Sequence, residues 1–153
     1  MSFASQLGYS PSPQTSIGSN RYEGVVKAEL ALTAWRWGRA YSTPGMIMIA
    51  QCIANRHRAG QGTFFQVIER IPKYAATLEE PPRDWPTAWD KEFVRLLPEI
   101  DGIVDGTAKD TTNGALYWCD MNDVTNPWFL EQIARSTNHN RVADVAGTLV
   151  FFR

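Results

Sequence analysis

At 153 residues, with 44% hydrophobic and 20% charged residues, the chain has the makeup of one folded domain that buries roughly two-thirds of its unfolded surface. Lys and Arg total 15 against 16 Asp and Glu, a net charge of -1, without the basic stripe that nucleic acid requires. No apolar run approaches the length of a membrane span, so neither nucleic acid nor a membrane is an expected partner.

Residues 1–20 are rich in Ser, Pro, Gln and Gly and have little to bury, which reads as a polar N-terminal arm ahead of a single domain over 21–153. Such an arm becomes ordered only when something ties it down, either its own domain or a protein partner. It lacks the basic start and apolar stretch of a signal peptide. Synthesis in the cytoplasm is therefore expected, with delivery by lysis or inside a virion if the target lies outside a cell.

From Tyr22 to Gly38, the residues Val25, Val26, Leu30, Thr33, Ala34 and Trp37 recur at helical spacing, with Gly38 as the stop. Thr43-Pro44 supplies an N-cap and a proline at the first helical position for a second helix. Its run of Met46, Ile47, Ile49, Ala50, Ile53 and Ala54 is apolar on most sides and predicts a central buried helix ending near Arg58-Ala59-Gly60. A short helix follows with Phe64, Phe65, Val67, Ile68 and Ile71, closed by Pro72, and 72–86 reads as a long surface loop. Asp84-Trp85-Pro86 opens a helix carrying Trp89, Phe93, Leu96 or Leu97, Ile100, and Ile103 or Val104 on one face, which Pro98 should kink or divide.

After Gly106 the pattern changes. Thr111-Thr112-Asn113-Gly114 is a turn, Ala115 to Trp118 is extended, and Asn126-Pro127 caps a short helix through Trp128, Phe129 and Ile133. Arg141 to Phe152 reads as a hairpin or paired strands. The expected class is α+β, mainly helical, with a small β-element near the C-terminus. Cys52 reads as a small buried hydrophobe, and neither it nor Cys119 has metal-ligand spacing. No phosphate-binding glycine loop and no Gly-x-Ser-x-Gly elbow occurs, so no metal or other cofactor is implied.

Three segments in order resemble the SleB-like family of cell-wall hydrolases. Gly45 to Arg56 is similar to that family's glycine-led apolar helix ending in Asn-Arg. Asp110 to Tyr117 resembles the motif in which a Gly-Ala pair precedes an aromatic, and Ala146 to Arg153 is similar to its glycine-containing closing strand. Together they span roughly residues 30 to 153. The resemblance implies a lysozyme-like fold, cleavage of the glycan strands of peptidoglycan, and a glutamate near the end of the preceding helix that protonates the glycosidic oxygen. The position of that glutamate is held here by Trp37, and Leu149 stands where a histidine is expected.

Glu29 is the nearest acid on the same helix, two turns before Trp37 and on roughly its face. The plainer reading is a solvated or capped helix glutamate, since glutamate is rarely buried unpaired; Glu23 lies nearer the helix start, where an acid complements the dipole. Asp105 and Asp110 flank the turn before Tyr117; a second carboxylate there would place water or stabilise charge on the sugar. An aspartate before Thr-Thr-Asn-Gly more often bonds its own backbone, and Asp120 and Asp123, in a polar loop, carry no special signal.

Six tryptophans and five tyrosines supply faces on which sugar rings stack. Trp37, Tyr41, Asn113, Tyr117 and Trp118 are the candidate substrate-binding residues, whereas Trp89 and Trp128, on periodic helices, are expected in the core. His139, in a polar loop, reads as exposed. Two functions fit these residues. One is a peptidoglycan glycosidase or lytic transglycosylase, phage-borne, with Glu29 or Asp110 as its acid. The other is a hydrolase scaffold that has lost its chemistry and serves as a structural or adaptor component of a virion or other assembly.

Overall fold

The computed structural model describes residues 14–71, 86, 90–135, 141–145 and 148–153, with the backbone alone at 14–20 and 142–145. Helix α1 (Gln14–Gly38) begins inside the segment read from composition as a polar arm. Val26, Leu30, Ala31, Ala34 and Trp35 are buried along one broad face of it. Its last residue is Gly38, where a Cβ would lie 2.7 Å from the Cα of Met46 in the next helix. Only glycine lets the two backbones approach this closely.

Helix α2 (Thr43–Arg58) is the central helix, with Met46, Met48, Ile49, Ala50, Cys52, Ile53 and Ala54 all buried. Its cap is Ser42, one residue before the expected Thr43: the Ser42 hydroxyl accepts the Gly45 N–H at 3.1 Å, and Pro44 sits in the first turn. Each fully buried Ile or Leu of this core contributes about 1.5–3 kcal/mol through apolar burial. The short helix α3 (Phe64–Glu69) starts at a reciprocal capping box between Thr63 and Gln66.

Helix α4 (Lys91–Asp105) is capped by Asp90 and ends at Gly106, whose φ of 79° is the left-handed conformation that suits glycine. It runs through Pro98 without being divided. Pro98 and Val94 are both on the exposed side, so the Val94 carbonyl that loses its partner faces water. The other side of α4 buries Leu96, Ile100 and Ile103. Lys27 of α1, only 6% exposed, reaches Asp101 and Asp105 of α4 at 3.4 Å each. Asp105 is thereby a structural partner of a buried lysine.

The C-terminal part forms a three-stranded antiparallel sheet in the order β1 (Tyr117–Asp120), β3 (Leu149–Phe152), β2 (Arg141–Val145). All four residues of the central strand are buried. Leu149 and Phe151 face the helices, and Val150 and Phe152 face a second, smaller core with Cys119 and Ile133. That second core is covered by α5 (Pro127–Phe129), which continues as a π-turn through Leu130–Ala134. Trp128, expected in the core, is instead 60% exposed. The Asn126 cap and the π-turn turn Phe129 and Ile133 inward in its place. The chain is thus α+β and mainly helical, with a small antiparallel sheet near the C-terminus. Trp89, His139 and most of the 72–86 loop lie outside the described residues.

The Gly38–Met46 crossing generates a direct test. Gly38→Ala should destabilise the protein by about 1–3 kcal/mol, because the new methyl meets backbone that has no room to move. Urea unfolding of the two proteins, followed by tryptophan fluorescence, measures the difference.

Candidate functional site

Gln51 and Asn55 lie one turn apart on α2 and present two amides to the segment before β1. Gln51 Nε2 donates to Lys109 O at 2.9 Å, and its Oε1 accepts the Thr111 N–H and hydroxyl at 3.1 and 2.7 Å. Asn55 Nδ2 is shared among Asp110 Oδ2, Thr112 Oγ1 and Ala115 O at 3.0–3.2 Å. Asp110 also accepts the N–H and hydroxyl of Thr112 and the N–H of Gly114. Asn113 takes the left-handed conformation, φ 55°, that asparagine tolerates.

Asp110 is therefore occupied. Partial burial works against its charge, but the hydrogen bonds from Thr112, Asn55 and Gly114 outweigh that and hold its pKa below the ordinary 3.8. A carboxyl so held stays ionised and is unsuited to donating a proton.

A second constellation lies where the end of α1 meets β1. Trp37 and Trp118 meet edge to face with ring centres 5.9 Å apart. From the turn between α1 and α2, the Tyr41 hydroxyl donates to Asp120 Oδ2. Asp120 Oδ1 accepts the Asn122 N–H at 2.8 Å. Burial first, and then the hydrogen bond and charge of Asp120, hold the Tyr41 pKa far above its ordinary value, so Tyr41 remains a donor. Trp37, Tyr41 and Asp120 are half-buried. Trp118 is only 9% exposed and belongs to the large core, so the accessible groups are the Trp37 indole, the Tyr41 phenol and the Asp120 carboxylate, a set that suits a ring with an apolar face and hydroxyls on its rim.

Asp120 is the residue that sequence reading passed over. Its signal was period-2 alternation: on β1, Trp118 and Asp120 share a face, and Tyr117 and Cys119 share the other. Tyr117 accordingly packs on the second core, away from Trp118, with the Arg56 guanidinium over its ring. The structure thus brings Trp37, Tyr41 and Trp118 together and places Asn113 in the turn before β1 and Tyr117 on the other face of the sheet.

Glu29 stands apart from both groups. On an ideal helix it lies about 12 Å along the axis from Trp37 and about 80° around it, on the stripe of Val25 and Arg36. Its Oε2 is buried and meets no hydrogen-bond partner among the described residues. Burial raises its pKa above the ordinary 4.5, and Arg36 on the same helix pulls the other way. This is the environment that keeps a carboxylic acid protonated at higher pH.

No family model, no curated protein and no solved structure matches the chain.

The two acids carry opposite pH signatures. Asp110, with its folded pKa lowered, contributes stability that is complete above 3.8 and is lost as pH falls through the folded value. Asp110→Asn should cost stability at pH 6, since its amide sets a donor against donors of Asn55 and Gly114, and the penalty should shrink at pH 2–3. Glu29, with its folded pKa raised, contributes stability that is complete below 4.5 and is lost as pH rises through the folded value. Glu29→Gln should therefore match the wild type at pH 4 and equal or exceed it in stability at pH 8. Urea midpoints at four pH values for the three proteins check both signs.

Proposed function

We propose that the protein is a peptidoglycan-directed domain that seats a glycan strand on Trp37, Tyr41 and Asp120, with the buried Trp118 supporting Trp37 from beneath, and cleaves it with one carboxylic acid. The observation that carries this reading is the cluster itself. The half-buried Trp37 indole and the Tyr41–Asp120 pair offer apolar and hydrogen-bonding surface together, which a sugar ring uses and an apolar ligand does not. The order of the segments similar to the SleB-like family supports the same reading, with a lysozyme-like arrangement and delivery by lysis or in a phage particle as parts of it.

Glu29 is the acid in this proposal, which requires the bound strand to run on from Trp37 by about 12 Å along α1 and part of the way round it. A group that protonates a glycosidic oxygen must hold its proton near the working pH, and burial moves Glu29 that way while hydrogen bonds move Asp110 the other. Asp120, held by a donor on each oxygen, serves as an acceptor for sugar hydroxyls. Its Tyr41 bond fixes the carboxylate plane that the sugar meets.

One observation favours the second function, a scaffold without chemistry that acts in a virion or other assembly. Trp37 stands in the place of the family's acid and is packed edge-on against Trp118, which fills space that a catalytic carboxyl would leave open.

Turbidity loss and sedimentation of purified peptidoglycan separate the two. The wild type should clear the suspension, and Glu29→Gln should lower the rate by about 10²–10⁴-fold while still sedimenting with it. Trp37→Ala and Tyr41→Phe should weaken sedimentation about three- to tenfold. Binding without clearing by the wild type removes the acid from the proposal, and neither binding nor clearing by a folded sample removes peptidoglycan as the target.

A further inference from the structure

Asn113-Gly114 is the only asparagine–glycine pair in the chain; every other asparagine precedes Arg, Asp, Pro or His. Asparagine before glycine is the pair most open to loss of the side-chain amide, because no Cβ shields the glycine nitrogen from the asparagine Cγ. The pair lies at the surface, with Asn113 exposed and Gly114 half-buried. It is also part of the turn that positions β1. Gly114 donates its N–H to Asp110 Oδ2 at 2.8 Å, and Asn55 Nδ2 donates to the same oxygen at 3.0 Å. Ala115, the next residue, is buried, and its carbonyl accepts from Asn55 at 3.1 Å.

The closed turn holds this pair out of reaction in two ways. Ring closure needs the Asn113 Cβ and the Gly114 nitrogen on the same side of the Cα–C bond, and the left-handed backbone of Asn113, φ 55°, keeps them on opposite sides. The Gly114 nitrogen is also fixed in its present orientation by its bond to Asp110. Reaction therefore starts from an opened turn, and its rate follows how often the bonds to Asp110 release.

We propose that Asn113 is a site of spontaneous deamidation whose products unlock the turn before β1. In the opened turn the Gly114 nitrogen gives its proton to hydroxide and attacks Asn113 Cγ. The N–Cγ bond forms, the Cγ–Nδ2 bond breaks, and Nδ2 leaves as ammonia with a proton from water. A five-membered succinimide remains, and water then opens it. Breaking N–Cγ gives aspartate; breaking the bond from that nitrogen to the Asn113 carbonyl carbon gives isoaspartate, in which the chain runs through Cγ. The succinimide nitrogen carries no hydrogen, so its bond to Asp110 is lost outright. Isoaspartate adds a methylene to the backbone within the turn, and either product sets a new carboxylate close to Asp110, which is held ionised. Each change displaces the residues that Asn55 and Asp110 hold, and the strand that follows carries Trp118 and Asp120.

The test is incubation of the whole chain at pH 8, with tryptic peptides mapped by mass spectrometry and isoaspartate detected with an isoaspartyl methyltransferase. The gain of one mass unit should appear at Asn113 ahead of every other asparagine, and sooner when the chain is held unfolded in urea. Asp110→Ala should speed it about 5–30-fold by loosening the turn. If that variant does not fold, Thr112→Val, which removes a hydroxyl bonded to Asp110, takes its place. Aged protein, separated by ion exchange, should unfold at lower urea than fresh protein. Asn113→Gly, which keeps the left-handed backbone and has no amide to lose, should hold its midpoint through the same incubation. Modification that spares Asn113, a rate equal in the folded wild type and the loosened variant, or an unchanged midpoint after modification overturns the proposal.

Discussion

Residues 107–116 contain no helix and no strand, yet they bring the chain from the end of α4 to the start of β1. What holds them is the pair of amides on α2. Gln51 and Asn55 act as a ladder against which the backbone of Lys109, Thr111 and Ala115 is satisfied, and Asp110 and Thr112 complete the set from within the turn. Thr112 is fully buried and Gln51 nearly so, so their polar groups have left water and are stable only because their partners are present. The position of β1, and with it of Trp118 and Asp120, depends on this clamp.

The clamp works because α2 itself cannot shift. Its apolar residues are enclosed by α1, α4 and β3, and its start is locked where Gly38 meets Met46. The buried Lys27 ties α1 to α4 through two aspartates one turn apart, a pairing that orients the helices more than it stabilises them, since removing charges from water offsets most of their attraction. The sheet then separates a large core from a small one, with alternate residues of β3 serving each.

The same alternation divides the chemistry. On one face of β1, Trp118 and Asp120 meet Trp37 and Tyr41; on the other, Tyr117 meets Arg56 and lies opposite Phe152 of β3. Neighbouring residues of β1 thus face two different surroundings. Between the acids, environment sets the roles: Asp110 is held ionised by donors, and Glu29 is pushed toward its neutral form by burial without a partner for Oε2.

Much of the fold was legible in the residues. The apolar periodicity of Val26 to Ala34, the stop at Gly38, the continuous apolar run of α2, and the β-branched and aromatic end that pairs as β2 and β3 all follow from local rules of spacing and backbone conformation. Contacts between elements followed no such rule. Asp120 looked like one more loop acid because Tyr41, its donor, is 79 residues away. Trp128 looked like a core residue because its helix was read at 3.6 residues per turn, whereas a π-turn sets Phe129 and Ile133 inward. Glu29 and Asp110 carry the same carboxyl group and were separable only by how many donors surround each one. Periodicity is a property of the chain and can be read from it; burial and hydrogen-bond partnership are properties of the packed molecule, and only tertiary structure assigns them.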